Sequence, residues 1–246
     1  MSQYDSISEQ YLRVEQDAIK RRVVLPTLRS MIGDIRGLSV LDAGCGSGYF
    51  TRILRRWGAR RVFGIDVSAR QIALARERSR DGGIDYRALA AADIGREFGP
   101  EFDLVTGVFL LNYAESPLGL IKMLAAIAGA LREGGRFAGI TQSPRFRFYR
   151  GIRFQRRFRR QAAGPPQDGE KFFIEFHAPG EMVCEVYCYH WKAATYRAAF
   201  AETGFRGFRW VKPLADYAGC RAAEREFFAG YLKNPHIIGL KAEKRA

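Results

Sequence analysis

Cysteine and histidine are scarce in this chain of 246 residues. There are four cysteines (Cys45, Cys184, Cys188, Cys220), none in a C-x-x-C pair, and three histidines. That is too little at metal-ligand spacing for a zinc ribbon, and it is no disulfide framework; no metal is expected and the thiols read as reduced. No apolar run reaches the ~18 residues that mark a membrane-spanning helix. The opening Met1-Ser2-Gln3-Tyr4-Asp5 lacks the basic-then-apolar order of a secretion signal. A cytoplasmic protein without membrane contact is therefore expected. Internal repeats are absent as well.

Apolar residues make up 47% of the chain, with 18 Phe and 11 Tyr, ample for a core and incompatible with general disorder. The length suits one large domain, or one domain with a lid. Net charge is +14, but residues 145–160 (RFRFYRGIRFQRRFRR) hold eight Arg and no acid, which leaves only +6 over the remainder. The excess charge is one local feature.

Spaced apolar positions (Ile7, Tyr11, Val14, Ala18) predict one or two helices over residues 6–31, the second opened by Pro26. Strands are then predicted at 39–41, 62–66, 84–89, 103–108 and 135–141. Helices alternate with them at 49–56, 69–80 (capped by Ser68) and 118–131. This rhythm predicts an α/β, doubly wound parallel sheet. It breaks after Thr141 and resumes with a helix over 192–203 and strands at 205–211 and 237–241. Three parts follow: an N-terminal helical lid over 1–37, a core over 38–141 and 192–246, and an Arg- and aromatic-rich insertion over 142–191 that forms a substrate lid.

The most informative local pattern is Leu41-Asp42-Ala43-Gly44-Cys45-Gly46-Ser47-Gly48. A tight strand-to-helix turn against a ligand needs residues without a Cβ. A dinucleotide site would want G-x-G-x-x-G, yet its third glycine position is Tyr49. The spacing here is G-x-G-x-G, with Asp42 two residues ahead. A carboxylate there repels a pyrophosphate and suits a cofactor that carries an ammonium and a sulfonium. Asp66, at the end of the second strand, can accept from both hydroxyls of a ribose. Asp93, in Ala92-Asp93-Ile94 past the third strand, can accept from an adenine amino group while its neighbours line the ring.

With these residues the chain resembles the class I S-adenosylmethionine-dependent methyltransferases over residues 38–141 and 192–241. The resemblance implies a Rossmann-like, seven-stranded sheet whose last two strands form a reversed hairpin. It also implies S-adenosylmethionine as cofactor and S-adenosylhomocysteine as product. Asp42, Ala43, Gly44, Gly46 and Gly48 would flank the methionine part, Asp66 the ribose, and Ala92, Asp93 and Ile94 the adenine. Val67 would pack on the adenine, and Val108 and Phe109 would line the cofactor's other side. Tyr4 and Tyr11 lie on a helix that in this superfamily folds over the cofactor. A narrower likeness, carried by Tyr4-Asp5-Ser6-Ile7, Phe102-Asp103-Leu104-Val105, Leu111–Ser116 and Phe208–Leu214, is to toxoflavin-type N-methyltransferases, which act on small heterocycles. The Arg-rich segment departs from that group.

Methyl transfer is an in-line displacement, so alignment and exclusion of water matter most. A base is needed only for a protonated nucleophile. His190, at the end of Tyr187-Cys188-Tyr189-His190-Trp191, is the candidate base, with Asn112 and Tyr113 at the mouth after the fourth strand. His177 and His236 read as structural. The Arg-rich segment suits a solvated lid, recognition of an acidic small acceptor, nucleic-acid contact or a membrane surface. A small-molecule N- or O-methyltransferase with an acidic or heteroaromatic acceptor leads. The alternatives are an RNA or other nucleic-acid methyltransferase, and a non-catalytic S-adenosylmethionine-binding protein. Against the former, Leu111-Asn112-Tyr113-Ala114 stands where base-amine enzymes carry a Pro-Pro loop.

Overall fold

A computed structural model describes residues 2–15, 17–79 and 82–245. Helix α1 (Gln3–Val14) is opened by Ser2, whose hydroxyl accepts from the Tyr4 amide, and by Asp5, whose carboxylate accepts from the Ser2 amide at 2.9 Å. This reciprocal cap satisfies amides that the first turn leaves free. A π-helical turn at Lys20–Val24 runs without a break into α2 (Leu25–Ile32). Pro26 stands in the first turn of α2, as its position suggested, although that helix is continuous with the π turn before it. The π turn ends with the Leu25 amide on the Lys20 carbonyl, and the ladder passes over the proline that has no amide to give.

The core alternates as the patterning predicts: β1 (Ser39–Ala43), α3 (Tyr49–Arg56), β2 (Arg61–Asp66), α4 (Ala69–Arg78), β3 (Ile84–Ala88), β4 (Phe102–Val108), α5 (Pro117–Ala130) and β5 (Leu131–Gln142). Ser68 caps α4, its hydroxyl accepting from the Gln71 amide at 3.1 Å; the predicted end of that helix at Arg80 lies outside the described residues. Ser116 caps α5 with Pro117 in the first turn, where a missing amide costs nothing.

After β5 comes an antiparallel meander, β6 (Arg156–Arg160), β7 (Glu170–Ala178) and β8 (Glu181–His190), followed by α6 (Ala193–Glu202), β9 (Phe205–Val211), α7 (Ala222–Leu232) and β10 (Ile237–Lys244). The main sheet has the order β3-β2-β1-β4-β5-β10-β9. Its pairs are parallel except those of β10, which runs antiparallel to both β5 and β9. The expected α/β fold with a reversed C-terminal hairpin is the observed one. One face buries Leu41, Phe63, Val105 and Phe137 under α5 and α6; the other buries Val40, Val62, Leu104 and Ile140 under α2 and α7. The smaller sheet has its own apolar core (Phe158, Phe172, Ile174, Val186), against which α1 lays Tyr4, Ile7, Tyr11 and Val14. No helix among the described residues is long and apolar enough to cross a membrane.

The Arg-rich stretch is less exposed as a charge patch than its sequence suggests. Arg156 is buried and pairs with Asp17, Arg157 and Arg159 pair with Glu175, Arg159 also with Glu185, and Arg160 with Glu170. Antiparallel pairing of β6 with β7, and of β7 with β8, brings Glu170, Glu175 and Glu185 near β6. Half of the run, the four Arg of β6, meets acids in space; Arg145, Arg147, Arg150 and Arg153 have no carboxylate within 4 Å among the described residues.

Candidate active site

A cavity of about 540 Å³ opens at the carboxyl ends of β1, β2 and β4. That volume is in the ~300–1,000 Å³ range of small-molecule and cofactor sites. In an open α/β sheet this end is where ligands bind, because loops diverge there and helix N-termini point inward. The glycine loop forms one wall. Gly44, Gly46 and Gly48 all have positive φ, a backbone state that L side chains avoid.

Asp66 organises that wall. One carboxylate oxygen accepts from the Gly46 amide and the other from the Ser68 amide, both at 2.9 Å. A carboxylate has about four lone-pair sites, so two remain for a ligand. Burial pushes its pKa up, opposed by these two amides. Val67, beside it, is a large apolar side chain left 63% exposed while lining the cavity. The buried Gln71 adds an orphan acceptor: its Nε2 donates to Ser8 at 3.1 Å and its Oε1 has no partner among the described residues. An unpaired buried acceptor costs roughly 1–3 kcal/mol unless a ligand donor meets it.

Of the residues singled out from sequence, Tyr4, Tyr11, Gly44, Gly46, Asp66, Val67, Ala92, Val108, Phe109 and Tyr113 line this cavity. Phe109 also holds a positive φ of 58°, a strained state that tends to gather at functional sites. Others are placed elsewhere. Asp42 is fully enclosed in β1, and its oxygens accept from Thr51 and Thr106 at 2.7 and 2.8 Å. It props α3 and β4 and does not face a ligand. Ala43 is wholly buried in the same strand, and Gly48 sits behind the wall, against Tyr86 and Arg52. Asp93 lies in a 3₁₀ turn and points outward to Arg96 at 3.1 Å, while Ile94 packs into the core.

His190 is also displaced from the expected position. It is buried at the end of β8, outside the lining of both this cavity and the smaller chamber behind it. Burial pushes its pKa down, with charges of Asp168, Glu170 and Arg160 nearby. Asn112 lines only the inner chamber, and donates to Cys188 Sγ at 3.3 Å. The histidine that does face that chamber is His236, whose ring accepts from or donates to Tyr231 at 3.0 Å.

Sequence reasoning missed the N-terminal contribution. Glu15 and Lys20 line the main cavity although both are nearly enclosed. Glu15 is held by Ser47 of the glycine loop and by Arg78; the Lys20 ammonium donates to Tyr11 at 3.0 Å and lies over its ring. Nothing local marks either residue, since their partners lie on other elements.

Asp42 gives a test by pH. Burial raises its pKa to about 6, against the two threonine hydrogen bonds and with Asp66 adding to the rise. The native state therefore holds this proton more tightly than the unfolded chain, and the associated stability is lost as pH climbs from about 4 to 6. Two pKa units amount to at most about 3 kcal/mol. Urea unfolding is expected to show Asp42→Asn gaining on wild type by 1–3 kcal/mol between pH 4 and pH 7 (a range of about one to two units). A pH-independent difference would show that Asp42 does not titrate in the fold.

A family profile described as a methyltransferase domain matches residues 40–135. Among curated proteins, the ubiquinone biosynthesis O-methyltransferases of Bordetella avium and Xanthomonas campestris are 27% and 33% identical over 125 and 124 residues. Those alignments cover 49% and 50% of this chain and 50% and 46% of the relatives, so the chain spans about half the length of the curated relatives it matches. Among solved structures, an S-adenosylmethionine-dependent methyltransferase from Mesorhizobium loti superposes with TM-score 0.63 at 23% identity, covering 89% of this chain and 96% of that one. Geranyl diphosphate C-methyltransferase from Streptomyces coelicolor, solved with S-adenosyl-L-homocysteine, gives 0.57 at 16% identity, over 100% and 84%. At these identities the two structures speak for the shared fold.

Proposed function

We propose that this chain is a class I S-adenosylmethionine-dependent methyltransferase that transfers a methyl group from S-adenosylmethionine to a nitrogen or oxygen of a small molecule, a reading supported by the methyltransferase-domain profile over residues 40–135. The observation that carries this reading is Asp66, pinned by two amides at the cavity wall with two lone pairs to spare. The residues fit the cofactor. Asp66 takes the ribose hydroxyls, Val67 and Ala92 the adenine faces, and Gln71 Oε1 a ligand N–H or O–H. Glu15, at the glycine loop, provides the negative partner for an ammonium. Asp42 and Asp93 have no direct part in this assignment.

When bound, the cofactor supplies an electrophilic methyl group on a sulfonium. The chain's own task is to align the acceptor and keep water out. We read 1–37 and 142–191 as the covering segments, because α1 bridges the small sheet and the cavity rim. Its Gln3 donates to the Tyr187 carbonyl at 3.1 Å and accepts from the Tyr187 amide at 2.8 Å. Tyr4 and Tyr113 touch through their hydroxyls, and burial pushes both pKa values well up. They stay protonated at neutral pH, and so orient an acceptor by donating hydrogen bonds rather than remove its proton. His190, outside both cavities, drops out as the base.

The pairing of the β6 arginines with Asp17 and with acids on β7 and β8 argues against a nucleic-acid role, because it removes about half of the stretch's charge from contact with phosphates. With methyl-labelled S-adenosylmethionine, label is expected in the small-molecule fraction of a metabolite extract and not in total RNA. Label confined to RNA would reverse the choice of substrate class. No transfer to either, with cofactor bound, would favour the non-catalytic reading.

A further inference from the structure

Behind the main cavity lies a chamber of only about 20 Å³, room for about one water. The two share Tyr4, Tyr11, Lys20, Phe109 and Tyr113 as walls, and the Tyr4–Tyr113 hydroxyl contact stands between them. For so small a space its polar inventory is unusual. Asn112 Oδ1, Gln142 Oε1 and Arg156 Nε are all buried without a partner among the described residues, and all three residues line the chamber. Phe109, Ile174, Phe176 and Val186 supply the apolar part of its walls. Three unpaired polar atoms facing one chamber offer a ligand one donor and two acceptors, since a buried polar group without a hydrogen bond is costly.

Charge is unbalanced there too. Lys20 and Arg156 bring two buried cations, each 3% exposed. Arg156 is matched by Asp17, but Lys20 has no carboxylate within 4 Å among the described residues. Its ammonium is met by the Tyr11 hydroxyl and ring. Glu15 lies on the cofactor side, held by Ser47 and Arg78, and makes no ion pair with Lys20 within 4 Å. Buried charges are normally paired, and here the unmatched charge is positive.

We propose that this chamber receives the reacting edge of the acceptor, and that the acceptor is a small planar monoanion whose ionised oxygen is flanked by an N–H or O–H. The assignment rests on the methyltransferase reading above and narrows its substrate class. The anionic oxygen faces Lys20 and Arg156 Nε; the neighbouring donor meets Gln142 Oε1; the ring lies between Phe109 and the small sheet. Room for the ring comes from parting the Tyr4–Tyr113 contact. The same assignment accounts for the absence of a strong base. His236 is pushed well below its ordinary pKa by burial and by Arg156, and the two tyrosines stay protonated. An acceptor that enters ionised needs none: its electron pair forms the bond to the methyl carbon, the carbon–sulfur pair stays on sulfur as a neutral thioether, and no proton has to leave.

The test uses two planar probes at pH 7.5 with the protein saturated in S-adenosylhomocysteine. Barbiturate is an anion with N–H beside its ionised oxygen; uracil is a neutral ring of similar shape. Calorimetry is expected to show barbiturate binding at least about tenfold more tightly, equivalent to about 1.4 kcal/mol. In Lys20→Met, which leaves no carboxylate orphaned, the preference should fall to within about threefold (below ~0.7 kcal/mol). In Gln142→Met both probes should weaken together, since each presents an N–H. Equal binding or no binding of the probes to wild type, a preference that survives Lys20→Met, or unchanged affinities in Gln142→Met overturns the acceptor assignment. Wild type that fails to bind S-adenosylhomocysteine at all overturns the methyltransferase reading beneath it, a result separable from the others.

Discussion

Asp66→Ala is expected to raise the dissociation constant for S-adenosylhomocysteine by more than tenfold while the protein stays folded. On the proposed reading, the free lone pair on each carboxylate oxygen would take a charge-assisted bond from a ribose hydroxyl, worth roughly 1.5–3 kcal/mol each. Loss of one such bond already exceeds the ~1.4 kcal/mol of a tenfold change. The alanine also frees the Gly46 and Ser68 amides, which loosens the glycine loop and adds to the loss. Asp66→Asn keeps one acceptor oxygen and should fall between wild type and alanine. Calorimetry reads all three. An Asp66→Ala constant within threefold of wild type would remove Asp66 from the ribose.

The second large effect is on stability. Gly48 caps α3 with φ +79°, and a Cβ there would collide with the Tyr86 hydroxyl and come within 2.9 Å of Arg52 Nη1. Tyr86 cannot simply retreat, because its hydroxyl is bonded to Ser79 at 2.9 Å and its ring is buried. A β-branched side chain adds the left-handed backbone cost of about 1–2 kcal/mol to an overpacking cost of about 1–3 kcal/mol. Gly48→Val is thus expected to lose about 3 kcal/mol, a fall in Tm of roughly 6–12 °C for a domain of this size. Gly99→Ala is the control, since nothing lies within 4 Å of a Cβ there and its Tm should barely move. A Gly48→Val protein melting within 2 °C (under about 1 kcal/mol) of wild type would mean the loop has a second comfortable conformation.

The main sheet was legible because its signals are local. Buried runs such as Val62-Phe63 and Leu104-Val105 alternate with helices whose caps, Ser68 and Ser116, are written beside them. Asp66 was legible for the same reason: it ends a strand shortly after the glycine loop it supports. Asp42 was misread because its partners, Thr51 and Thr106, come from α3 and from another strand. The pattern placed an acid by the loop without showing that its oxygens were taken. Asp93 failed on the 3₁₀ helix Ala91–Arg96, which sends Ile94 inward and the acid outward to Arg96.

The inner chamber was the least legible part. Lys20, Asn112, Arg156 and His236 come from four distant parts of the chain, and only tertiary packing, such as that of β8 against α1 and against the turn Leu111–Tyr113, gathers them. The Arg-rich run shows the same limit from the other side. Its charge seemed free because the acids that meet it stand on β7 and β8, one hydrogen-bonded strand or two away.

The account depends on the cavity at the strand ends being shaped for an adenosyl thioether or sulfonium. Calorimetry of the wild-type protein with S-adenosylmethionine, S-adenosylhomocysteine and NAD tests this directly. Binding of both adenosyl compounds at one per chain, with no heat from NAD, is the predicted result. Binding of NAD with neither adenosyl compound would contradict it.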